Sequence, residues 1–270
     1  TKWFDTNYHY LVPELSPDQS FRVSTTKPIT ELAEARALGV PAKPVLIGPV
    51  TYLLLARMHE SGASPLSLLE SLLPVYAEVI EALAAGGAEW IQLDEPALVL
   101  DRTPAELSSV SRAYTALNEA KGTARLLVQT AYGHAGESYQ TLTALPVDGI
   151  GLDLSERGRA NLNSIDKYGF PADKWLAAGI VDGRNVWTND LTGSLEILRR
   201  VQEIVPAERL MISTSCSLLH VPYDVRMENE LPAAIIPWLA FAEQKLDEVV
   251  TLTRAVNEGE DIVSERLAEN

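Results

Sequence analysis

Trp90-Ile91-Gln92-Leu93-Asp94-Glu95-Pro96-Ala97-Leu98-Val99 decides how the chain is read. It opens as a short apolar run, the pattern of a buried strand. Pro96 lacks a ladder donor and forces its predecessor out of helical geometry, so the strand ends at Asp94-Glu95. Two adjacent acids at the end of a buried strand mark the face where parallel α/β folds bind ligands. The plainer alternative is that one acid caps the next element and the other is solvated. In extended geometry the two side chains point to opposite faces, so both do not enter one pocket.

Outward from this stretch, strands and helices alternate. The sequence predicts seven strands: 8–13, 43–51, 90–94, 125–133, 149–154, 175–183 and 210–216. Helices are expected over 28–38, with Thr30 as N-cap and Gly39 beyond its end, and over 64–86, kinked or split at Pro74. Others are expected over 104–120 behind a Thr103 cap, 138–144, 190–204, and 229–256 with a kink near Pro237. This spacing suits βαβ units. No Gly-rich dinucleotide or phosphate loop follows any strand. The fold class expected is therefore α/β, a TIM-type (β/α)8 barrel that is incomplete and lacks its opening N-terminal segment. Residues 1–257 form the barrel domain, and the polar, acidic 258–270 is the start of an interdomain linker or a disordered end. Thr1-Lys2-Trp3-Phe4 runs straight into aromatic sequence, as in a piece of a longer polypeptide. A barrel without its opening unit exposes two strand edges and is expected to self-associate, to be filled by added segments, or to be a marginal, aggregation-prone fold.

Of 270 residues, 46% are hydrophobic, enough for a sizeable core, and the net charge of −15 argues against nucleic-acid or anionic-membrane partners. The single cysteine, Cys216, excludes an intrachain disulfide and is consistent with a cytoplasmic location. No stretch has the length of a membrane span or a secretory signal.

The predicted strand ends carry Asp94, Glu95, Gln129, Thr130, Asp153, Asp182, Ser213 and Ser215. Of these, Asp94, Glu95, Asp153, Asp182 and Ser215 are the barrel-mouth candidates. Carboxylates there could serve acid/base chemistry. None of His9, His59, His134 and His220 shows metal-ligand spacing with Cys216 or the acids, so no metal site is read here. No nucleophile elbow is present.

Several stretches together are similar to a known family. They are Thr1–Tyr10 with Val12-Pro13-Glu14, Lys43–Thr51, Ile91–Leu98, Ala178–Trp187 and Ser215–His220. In this order they resemble the N-terminal domain of cobalamin-independent methionine synthase. The resemblance implies one of two face-to-face barrels. The whole enzyme moves a methyl group from 5-methyltetrahydropteroyltriglutamate to homocysteine, with zinc in the C-terminal barrel, which lies outside this chain. It implies no catalytic residue and no cofactor here, a scaffolding role, and contact between Lys2 and the folate polyglutamate tail. A compact ammonium suits such carboxylates. By motif position, the zinc ligands of the catalytic barrel correspond to Gln129, Ala131, Asp153 and Cys216. Only Cys216 keeps a soft ligand, as a vestigial position. Two other functions stay open: a free-standing barrel enzyme using strand-end carboxylates, and a non-catalytic module docking on a catalytic barrel.

Overall fold

The computed structural model describes residues 1–60 and 62–270, which divide into two compact units. The first unit comprises residues 11–130 and 135–151, with Thr1; the second comprises 2–10, 131–134 and 152–270.

In the first unit the elements run β1 (Glu14–Leu15), α1 (Lys27–Ala37), β2 (Val45–Ile47), α2 (Pro49–Leu54), β3 (Arg57–Met58), α3 (Leu69–Ala85), β4 (Trp90–Asp94), α4 (Pro104–Ala120), β5 (Arg125–Gln129), α5 (Ser138–Ala144) and β6 (Gly149–Asp153). β1 pairs with β3, and β2, β4, β5 and β6 pair in that order, all in parallel. Parallel pairing requires crossovers, and α3, α4 and α5 supply them. The core is aliphatic: Leu53, Leu69, Ile80, Leu83, Ile91, Leu93, Val110, Leu117, Leu126 and Val128 are fully buried. β6 carries the chain into the second unit at Gly151.

The second unit continues with α6 (Ala160–Tyr168), β7 (Trp175–Val181), α7 (Leu191–Gln202), β8 (Leu210–Thr214), α8 (Ala242–Glu258) and α9 (Ser264–Glu269). β7 and β8 pair in parallel with a register irregularity between Gly179 and Val181. Leu152, Leu176, Ala178, Val181, Leu191, Leu198 and Leu252 fill its core.

The parallel α/β class holds. Several element boundaries differ from the expectation. Residues 8–13 are not a strand: His9 makes only an isolated bridge to Lys2, because Trp3 N–H closes a turn on Tyr8 O at 2.8 Å. β2 is three residues long and half exposed, with Val45 at 52% and Ile47 at 47%, since it stands at the end of its strand order. The N-cap position of α1 is Thr26 rather than Thr30, without a side-chain capping bond, while Gly39 does take the left-handed φ of +73°. α3 runs unbroken through Pro74; the change of geometry comes earlier, where a 3-10 turn over Pro65–Leu68 passes into the helix. α4 begins as expected, with Thr103 and Glu106 forming a reciprocal capping box. The long helix expected from Asn229 starts only at Ala242, after a 3-10 turn at Ile236–Trp238. Residues 260–269 are helical, Val263 is buried, and the Asn270 side chain accepts from Leu191 N–H at 2.8 Å, so the end is not disordered. No helix among the described residues is long and apolar enough to cross a membrane.

Candidate functional site

In the first unit, Asp94 and Glu95 part as the pleat requires. Glu95 is fully buried and accepts hydrogen bonds from Val50 N–H (3.1 Å), Thr51 N–H (2.6 Å) and Tyr114 Oη (2.9 Å). The two amides belong to the first turn of α2, whose own N-cap, Gly48, has no side chain to offer. Glu95 therefore caps a helix from across the sheet and meets the positive end of its dipole. A Cβ on Gly48 would lie 2.2 Å from the Glu95 carboxyl, so the close approach demands glycine. Thr51 Oγ1 completes the join by accepting from Ala97 N–H at 3.2 Å. Burial pushes the Glu95 carboxyl up, against the pull of its donors at Thr51, Tyr114 and Val50. Asp94 is half-buried and accepts from Gln92 Nε2 at 2.7 Å; burial raises its pKa to about 6 despite Gln92 and Lys43. Gln129 bends back to donate to Thr130 O at 2.6 Å, over Gly151, where a Cβ would meet its Oε1 at 1.7 Å.

The second unit holds Asp153, Asp182, Ser215 and Cys216. Asp153 accepts from Ser155 N–H (3.0 Å) and Ser155 Oγ (2.6 Å). Burial raises its pKa to about 6, partly offset by those bonds. Asp182 accepts from Arg184 N–H (2.7 Å) and Asn185 Nδ2 (2.8 Å). Ser215 Oγ accepts from Gly183 N–H at 3.2 Å. Burial pushes the Cys216 thiol up to about 12, so it stays protonated and unreactive at neutral pH. A cavity of about 230 Å³ lies beside Asp182, with Ser155, Asn185 and Trp187 on its walls and the buried Lys245, which donates to Trp187 O at 3.1 Å.

These surroundings do not fit zinc. Gln129 spends its amide on the backbone, Ala131 has no donor atom, and Cys216 is a neutral thiol. Among the described residues no three His, Cys, Asp or Glu side chains are grouped to hold a metal ion.

An aromatic hub in the second unit centres on Tyr132, which is not among the site candidates read from the sequence. Tyr132, just past β5, has φ +72°, a left-handed conformation costing a non-glycine residue about 1–2 kcal/mol. Its Oη receives Trp3 Nε1–H at 3.0 Å and is 2.9 Å from His220 Nε2. Its ring stacks on Phe4 with centroids 5.4 Å apart, and the Arg184 guanidinium lies 5.5 Å from the ring centre. Arg184 also pairs with Asp5 at 2.9 Å, and Arg157 bonds the same carboxylate. The two arginines outweigh burial and hold the Asp5 pKa below its usual value. His220, half-buried, is held below its ordinary pKa by burial and by Arg184. Lys2 is exposed on this fastened turn, one residue from Trp3. His9, His59 and His134 are exposed. The signal in the sequence is the density of aromatics in Trp3–Tyr10, whose last three residues are expected to open a strand over 8–13.

Parallel strands joined by helical crossovers, several of them ending in polar residues, define a parallel α/β protein. The sequence pattern of the family described as "Cobalamin-independent synthase, N-terminal domain" matches residues 1–206. The chain belongs to that family. It is 50% identical over 273 residues to a 5-methyltetrahydropteroyltriglutamate–homocysteine methyltransferase of Streptomyces avermitilis, covering 100% of this chain and 35% of the relative. A rice protein of the same name is 49% identical over 261 residues, covering 95% and 34%. The chain thus spans about a third of the length of these relatives. A B12-independent methionine synthase from Shewanella, solved with selenomethionine, shares the fold: TM-score 0.62, 19% identity, 96% of this chain and 72% of that one. A Listeria monocytogenes protein described as a vitamin-B12-independent methionine synthase gives TM-score 0.63 at 16% identity, over 91% and 72%.

Proposed function

We propose that this chain is the N-terminal scaffolding and folate-tail-binding part of a cytoplasmic methyltransferase. The parent protein moves a methyl group from 5-methyltetrahydropteroyltriglutamate to homocysteine, making methionine without cobalamin. The observation that carries this reading is the family match over residues 1–206, joined to 50% identity with a methyltransferase of that name.

The division of labour follows from the chemistry available here. The strand-end groups are committed to the fold: Glu95 caps α2, Asp153 holds Ser155, and Cys216 is a buried neutral thiol. Catalysis is therefore assigned to the remainder of the parent polypeptide, the C-terminal barrel. A zinc ion held there would supply the Lewis acidity that favours the homocysteine thiolate at neutral pH. Lys2 contributes an exposed ammonium to the free α-carboxylates of the γ-linked tail.

Deleting residues 1–270 from the parent polypeptide is expected to abolish methionine formation from the triglutamate substrate, and restoring them in trans to recover part of it. Full turnover by the remainder alone would overturn the reading.

A further inference from the structure

We propose that Tyr132 is the positioning residue for Lys2, fastening the Lys2–Tyr10 turn so that its ammonium stands where the folate tail passes. The inference rests on the tail-binding reading above and adds the residue that makes it geometrically possible.

A lysine near the start of a segment is a poor ligand unless its backbone is held, because ordering a flexible chain consumes the binding energy. Here the turn and two loops far from it in sequence meet at one phenol. Trp3 and Phe4 come from the turn itself, Arg184 follows β7, and His220 follows β8. The backbone of Tyr132 is left-handed, a conformation glycine would adopt without strain. A bulky residue kept there points to a side chain that is needed. Its Oη is the only atom of Tyr132 that can hydrogen-bond Trp3 and His220 together, and Trp3 is the immediate neighbour of Lys2. Burial and Arg184 keep His220 mostly neutral near pH 7, so one ring nitrogen can accept the phenol proton while the phenol oxygen accepts the indole N–H. The chain of bonds runs Trp3 to Tyr132 to His220, and anchors the turn to the loop after β8.

Tyr132→Phe removes only Oη and keeps the ring on Phe4. In the full-length parent polypeptide, kcat/KM should be measured with methyltetrahydropteroyl triglutamate and monoglutamate, for wild type, Tyr132→Phe and Lys2→Ala. The triglutamate preference should shrink roughly five- to tenfold in Tyr132→Phe, carried by KM, as expected for one lost hydrogen bond and a freed turn. Trp3→Phe, which breaks the same link from the other side, should give the same loss. A merely structural role would lower both substrates together and leave their ratio unchanged, overturning the proposal. Lys2→Ala separates the two levels of inference. If it leaves the tail preference intact, the tail-binding reading fails. If it collapses the preference while Tyr132→Phe and Trp3→Phe do not, only the positioning role fails.

Discussion

Glu95 Oε2 accepts the Thr51 amide at 2.6 Å across 44 residues of sequence, and through that bond an acid at the exit of one strand caps the helix that follows another. This acid is spoken for, whereas the carboxylate of its neighbour Asp94 is half-buried and accepts from the Gln92 side chain at 2.7 Å.

Glu95→Ala should destabilise the fold by about 3–5 kcal/mol, because it strands two helix-end amides and the Tyr114 hydroxyl in a dry site. Glu95→Gln should cost less, keeping one acceptor oxygen. Urea unfolding followed by circular dichroism measures both. A loss under 1 kcal/mol for the alanine variant would rule out the capping role.

Asp153 has a folded pKa of about 6 against 3.8 for an ordinary aspartate. The folded state therefore holds a proton that the unfolded chain gives up between about pH 4 and 6. Stability falls as pH rises through that window and is level above it, a ceiling of about 3 kcal/mol. Asn keeps an acceptor for Ser155 without the charge. Asp153→Asn should gain on wild type by about 1–3 kcal/mol between pH 4 and pH 7.5, measured by urea melts at both values. An unchanged difference would contradict the burial argument.

Cys216, with its thiol pushed up to about 12, should resist alkylation in the native state and react at once in urea. A timed iodoacetamide reaction read by mass spectrometry tests this. Native labelling as fast as that of free cysteine would show the thiol to be exposed or activated.

Val45 and Ile47 are about half exposed on β2, at the end of the first unit's strand order. Such an apolar edge is a template for pairing. The isolated chain should self-associate in sedimentation velocity, and Val45→Lys with Ile47→Lys should shift it towards monomer. A wild-type monomer at tens of micromolar would count against an open edge.

Much of this architecture is legible in residue patterns. β4 to β8 and α4, α5 and α7 fall where periodicity, proline and caps put them, because each is a local signal reinforced by burial. The parting of Asp94 and Glu95 follows from the pleat alone. What escaped was long-range. α6 is a nine-residue helix in a largely polar stretch, and the exposed apolar stretch from Leu231 to Trp238 imitated a helix it does not form. The Tyr132 hub joins residues up to 129 positions apart on one side and 88 on the other, and no window of sequence contains it. Glu95 as the cap of α2 is legible only as the bland alternative to a catalytic acid; its partner is invisible until the strands pair.

The most direct measurement is methionine formation by the purified 270-residue chain, supplied with 5-methyltetrahydropteroyltriglutamate, homocysteine and zinc. No turnover is expected, since among the described residues no three His, Cys, Asp or Glu side chains are grouped to hold a metal ion and Cys216 is a buried neutral thiol. Sustained methionine production by this chain alone would contradict the assignment of the chemistry to the rest of the parent polypeptide.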